Sequence, residues 1–225
     1  MVEIEVLVDF VAEQSAKDHS GHDLAHIQRV VKLSAYLTRY YPQADQNVVL
    51  AAAWTHDVLD EKLVSDPTQL RVLRQRLTGR YQQAGFSAPQ IEAIYAIIDH
   101  LSYAQNLRTH WQLSLAGQLV QDADRLDALG AVGIGRAFYY GASTGAPMFD
   151  PELAPRTTLD HQAYRQVTPV INHFYEKLFR LAALMNTAEA RAIAEKRTAI
   201  MRQFVTDFKA EWQFDEKNQA AQSGN

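Results

Sequence analysis

Asn47-Val48-Val49-Leu50-Ala51-Ala52-Ala53-Trp54-Thr55-His56-Asp57 is apolar on nearly every side until its last two residues. A surface helix carries one apolar stripe, whereas a segment apolar all round reads as a helix surrounded by other elements. The stretch therefore predicts a central buried helix that delivers His56 and Asp57 to the interior. A buried aspartate is costly unless it is paired or bound to a cation, and an adjacent imidazole is a second kind of metal ligand.

Working outward, helix-forming residues dominate and Pro and Gly fall between periodic segments, which predicts helices at about 2–17, 22–40, 45–60, 67–84, 89–102, 112–140, 160–184 and 187–213. The fold class expected is all-α, a helical bundle with a C-terminal helical extension. Val2, Ile4, Val6, Val8 and Phe10 alternate with a strand-like period, but a single strand has nothing to pair with, so helix is expected there too. Gly141 to Thr158, with three prolines, is the longest irregular stretch. It divides a core at 1–141 from an extension at 142–217, with a polar tail at 218–225 expected to be disordered.

Upstream, Leu24, Ile27, Val30, Val31 and Ala35 form an apolar stripe on which His26 and Arg29, three residues apart, share a face beside His22. Downstream, Gln121-Asp122-Ala123-Asp124-Arg125-Leu126-Asp127-Ala128 sets three carboxylates close together, where they repel unless something neutralises them. Each member also has an ordinary explanation. His56 could be a core histidine bonded to a carbonyl, Asp122 an N-cap, and the run through Asp127 a solvated face paired with Arg125.

The order His26, His56-Asp57, Asp122 resembles the signature of the HD-domain metal-dependent phosphohydrolases. Gly21-His22-Asp23-Leu24-Ala25-His26-Ile27-Gln28-Arg29-Val30 and the run from Gln121 to Phe138 are similar to a bacterial subgroup of predicted HD hydrolases. The similarity continues through Ile97-Ile98-Asp99-His100-Leu101-Ser102 and His173-Phe174-Tyr175-Glu176-Lys177-Leu178, nearly the whole chain. This resemblance implies that the C-terminal helices are part of the fold and that His26, His56, Asp57 and Asp122 hold one divalent metal ion.

Two imidazoles and two carboxylates suit Mn, Fe, Co, Ni or Zn and tolerate Mg. Such an ion activates a water and offsets phosphoryl charge, so the expected reaction is cleavage of a phosphoester or phosphoanhydride of a small nucleotide-like substrate. Acid/base work should fall to a nearby group that is not a ligand. Asp60 and Glu61 are the candidates; His56 to Glu61 resembles the corresponding stretch of alarmone-hydrolysing HD enzymes, with the two acids reversed. Their plainer reading is two acids at the solvent end of a helix. Arg29, Lys62, His100 and Arg125 are the expected substrate-binding groups, since cations beside a metal site favour a polyanion. His173 and Lys177 are expected on the surface. Gly130, Gly133 and Gly135 follow a helix rather than a strand, so a dinucleotide glycine motif is not expected. Two other readings are a metal- and nucleotide-binding regulator without turnover, and an HD-type diiron oxygenase drawing further ligands from His100 or His110.

Composition sets the outer bounds. The 225 residues are 47% hydrophobic, enough for a full core, and contain no cysteine, so thiol catalysis, iron–sulfur clusters and disulfides are excluded. A formal charge of −4 gives no strong signal for nucleic acid. No apolar run approaches the roughly 20 residues of a membrane span, and the start is acidic, so no membrane association and a cytoplasmic location are expected. Oligomeric state is not legible.

Overall fold

The computed structural model describes residues 2–15, 23–60, 66–106, 109, 111–157 and 166–214. Every regular element among them is helical: α1 (Glu5–Ser15), α2 (Leu24–Thr38), α3 (Gln46–Thr55), α4 (Pro67–Gln83), α5 (Ala88–Ile98), α6 (Tyr103–Asn106), α7 (Leu115–Asp127), α8 (Gly130–Ser143), α9 (Val170–Glu176), a 3₁₀ helix (Leu178–Leu184) and α10 (Ala188–Trp212). The alternating start of the chain is helical as expected, with Leu7, Phe10 and Val11 turned inward at i, i+3 and i+4.

Helix α3 is the hub. Val48, Val49, Ala51, Ala52 and Ala53 are buried among α1, α2, α5 and α7, and the alanines let the surrounding helices approach closely. Its start is fixed by Asp45, whose carboxylate accepts from the backbone N–H groups of Asn47 and Val48. Helix α2 begins the same way, Asp23 accepting from the His26 N–H at 2.8 Å. These caps set where each helix starts, and so which face His26 and His56 occupy.

Three boundaries differ most from the sequence reading. The helix expected over 112–140 is broken at Gly130, which takes φ +78°, a left-handed conformation that favours glycine, and separates α7 from α8. Three residues on, a Cβ at Gly133 would stand 2.3 Å from the Ala128 carbonyl oxygen, so glycine there lets α8 fold back against the end of α7. The helix expected over 160–184 is α-helical only for Val170–Glu176 within the described residues, then tightens into the 3₁₀ helix. Helix α8 also runs two residues past the expected boundary at Gly141, to Ser143. The expected tail at 218–225 lies outside the described residues. No described helix is long and apolar enough to cross a membrane.

Candidate metal centre

Helices α2, α3 and α7 meet in pairs, and each brings ionisable groups to the junction. His26, fully buried, comes from the first turn of α2; His56 and Asp57 lie in the turn that ends α3; Asp124 comes from the last turns of α7. The Nε2 atoms of His26 and His56 are 3.2 Å apart. Asp57 Oδ2 is 3.4 Å from each of them, and Asp124 Oδ1 is 3.5 Å from His26 Nε2 and 3.9 Å from His56 Nε2. His26, His56 and Asp124 form the group of potential ligands whose atoms lie within 4.8 Å of one another, and Asp57 joins it through both imidazoles.

The outer ring nitrogens fix what the inner ones can do. His56 Nδ1 is 2.8 Å from the Ala53 carbonyl oxygen, which can only accept, so this nitrogen carries the hydrogen. His26 Nδ1 is 2.8 Å from Asp127 Oδ2 and donates likewise. With both imidazoles neutral, the two Nε2 atoms offer their lone pairs to one point, where a proton or a metal cation can be shared. Burial, the largest influence on His26, disfavours its charged form, but the hydrogen bonds to Asp127 and Asp57 outweigh it and raise its pKa to about 9. The surroundings of His26 therefore favour positive charge at its Nε2, which a divalent ion would supply in place of the imidazolium proton. Two neutral imidazoles and two carboxylates sum to the charge a divalent cation balances, and outer hydrogen bonds of this kind orient metal-binding histidines. The donor set fits a divalent ion.

His56, Asp57 and Asp124 also border a cavity of about 660 Å³, within the range of small-molecule sites. Its remaining wall carries basic side chains from five places in the chain: Arg74 on α4, Arg125 on α7, Arg136 on α8, Arg156 on the following loop, and His173 and Lys177 at the end of α9. Arg156 is held by buried Glu176, which accepts from its Nε at 3.0 Å, its NH2 at 2.5 Å and its backbone N–H at 2.9 Å. Burial alone would raise the Glu176 pKa, but the Arg156 hydrogen bonds and charge lower it below the usual glutamate value. Arg74, also on the wall, is fixed by a two-point contact with Asp99, at 2.8 and 2.6 Å.

No family model matches the chain. Its similarity to individual proteins is extensive. The uncharacterized protein YpgQ of Bacillus subtilis is 36% identical over 189 residues, 84% of this chain and 83% of that protein. A crystal structure from Lactobacillus plantarum superposes with a TM-score of 0.84 at 44% identity, over 96% of this chain and all of that one. A crystal structure of an HD-superfamily hydrolase from Bacillus thuringiensis matches at 35% identity and a TM-score of 0.71, over 94% of this chain and 97% of that one. The chain belongs to the HD superfamily of hydrolases. YpgQ has also been crystallised in complex with ADP; that structure covers 94% of this chain and 99% of its own, with a TM-score of 0.72 and 29% identity over the superposed residues.

As an HD hydrolase the chain is a metal-dependent enzyme, and the residues expected from its sequence divide clearly. His26, His56 and Asp57 come together. Asp122 does not join them: Oδ1 accepts from the Asn186 backbone at 2.8 Å and its amide at 2.9 Å, and Oδ2 from the Thr187 backbone at 2.8 Å and its hydroxyl at 2.7 Å. The reason is helical geometry. Two residues along a helix turn a side chain by roughly 200°, so Asp122 faces α10 while Asp124 faces the histidines.

Among the expected substrate groups, Arg125 lines the cavity, with one guanidinium nitrogen also donating to the Leu184 carbonyl. Arg29 does not line it; its guanidinium is engaged by Asp127 at 2.7 and 3.0 Å. His100 does not either, its half-buried ring lying 4.0 Å from that of Trp111 and its Nδ1 2.9 Å from the Ala96 carbonyl oxygen. Asp60 is on the wall. Glu61, Lys62, His22 and His110 lie outside the described residues. His173 and Lys177, expected on the surface, face the cavity instead. Arg136 and Arg156 also line the cavity, and nothing in a single arginine's local sequence tells a cavity wall from an exposed turn.

Proposed function

We propose that this HD hydrolase cleaves a phosphoester or phosphoanhydride bond of a small nucleotide-like substrate, with one divalent ion of the Mn, Fe, Co, Ni, Zn or Mg type held by His26, His56, Asp57 and Asp124. The observation that carries this reading is the coincidence of converging ligand atoms with a cavity whose walls bear Arg125, Arg136, Arg156 and Lys177. Phosphate groups would add charge-assisted hydrogen bonds to these basic side chains beyond those that already hold Arg136 to Asp127 and Arg156 to Glu176. The ADP complex of YpgQ is consistent with a nucleotide of the same scale.

When bound, the divalent ion supplies a lowered water pKa and electrostatic stabilisation of the phosphoryl group. The chain's own residues do the rest. His26 and His56 present neutral Nε2 atoms because their Nδ1 hydrogens are committed elsewhere. Arg136, Arg156 and Lys177 hold the phosphates against the wall and orient the scissile bond. Asp60 is the proposed acid/base group; Glu61, next to it, is the second candidate, and Lys62 remains a candidate phosphate contact. The test is a metal-reconstituted screen against nucleotides and simple phosphoesters. Product should form with the wild type and not with His56→Ala; a wild type that binds ADP in the presence of Mn²⁺ yet releases no phosphate or pyrophosphate from any compound would refute the hydrolytic reading.

A further inference from the structure

Asp127 is buried on α7 one turn beyond Asp124, yet its oxygens turn away from the converging ligand atoms. Oδ2 accepts from His26 Nδ1 at 2.8 Å, Arg29 NH2 at 3.0 Å and Arg136 NH1 at 2.8 Å, while Oδ1 accepts from Arg29 Nε at 2.7 Å. Three side chains from two other helices thus meet on one carboxylate, and one of them, Arg136, also borders the substrate cavity. A carboxylate held between two guanidiniums can only accept, so His26 Nδ1 must donate, which leaves Nε2 as the nitrogen that would offer its lone pair to an ion. His56 owes the same orientation to a backbone carbonyl. Asp127 is therefore a side chain through which a substitution reaches the orientation of His26 without touching His26 itself.

We propose that Asp127 is the positioning residue of the metal centre, setting the tautomer and aim of His26, with Arg29 and Arg136 serving to anchor Asp127. This rests on the metal-centre reading above. Removing an outer partner of this type weakens metal binding by about 10- to 100-fold. A structural ion pair between Arg29 and Asp127 would instead affect only folding stability.

The two are separated by titrating Mn²⁺ calorimetrically into the metal-stripped full chain and melting the same samples without metal. Wild type is expected to bind and His56→Ala to lose binding. Asp127→Ala should bind about 10- to 100-fold more weakly. Asp127→Asn, which keeps one oxygen able to accept from His26, should fall between them, and it decides the matter should the alanine variant not fold. Asp127 variants with wild-type Mn²⁺ affinity and a lowered metal-free Tm would overturn the positioning role. Failure of the wild type to bind Mn²⁺, or full binding by His56→Ala, would count against the metal-centre reading itself.

Discussion

At the scale of the residue, Asp122 and Asp124 separate two roles that the sequence places two positions apart. Asp122 is fully buried and takes four hydrogen bonds from Asn186 and Thr187. Asp122→Ala strands those donors and should cost about 3 kcal/mol of stability, measured by denaturant titration of the metal-free protein. Asp124, with a side chain 37% exposed beside Asp57, should behave oppositely. Asp124→Asn is expected to leave the metal-free protein as stable as wild type and to weaken Mn²⁺ binding; equal losses of stability in both variants would contradict the assignment. The carboxylate-rich run was legible as a site from charge crowding alone. Which carboxylate faces the histidines was not, because that depends on the phase of α7 relative to α2 and α3, and Asp122 and Asp124 lie about half a turn apart on that helix.

At the scale of the element, the turn between α7 and α8 aims both sides of the centre, with Asp124 and Asp127 before it and Arg136 after. Glycines close in sequence carry unequal weight there. Gly133→Ala would drive a Cβ into the Ala128 carbonyl and should be strongly destabilising, whereas a Cβ at Gly135 meets nothing within 4 Å. Gly135→Ala should therefore raise stability by up to about 1 kcal/mol through helix propensity, a difference that thermal melts of the two variants will resolve. The central helix α3 was readable in advance because its apolar residues lie on every side. The break at Gly130 was not, since an isolated glycine inside a periodic pattern is compatible with a continuous helix. Between α7 and α8 the backbone becomes extended at Leu129 and left-handed at Gly130, where an added Cβ would stand 3.1 Å from the Arg197 side chain.

At the scale of the whole molecule, the elements after Ser143 are joined to the core by buried polar contacts. Asp122 binds the start of α10, and Arg197 on α10 donates to the Leu126 carbonyl at 2.6 Å. We propose that 142–217 is an integral part of one folding unit with 1–141. A chain truncated after Ser143 should then show no cooperative unfolding transition by circular dichroism. The pairing of Glu176 with Arg156 adds a pH dependence. Because Glu176 has a lowered pKa in the folded protein, its contribution is complete above the ordinary glutamate range and is lost as pH falls through the folded value. Melting curves recorded from pH 7 downward should lose less stability for Glu176→Gln than for wild type. The contacts between distant segments, Asp122 with Thr187 and Arg156 with Glu176, have no periodic signal in the sequence and emerge only when the elements pack. The most direct measurement of the central claim is an anomalous-difference map from crystals loaded with Mn²⁺. The account predicts an ion at about 2.0–2.2 Å from His26 Nε2, His56 Nε2 and oxygens of Asp57 and Asp124, with Asp122 still bonded to Asn186 and Thr187. An ion coordinated by Asp122, or one bound away from the two histidines, would contradict it.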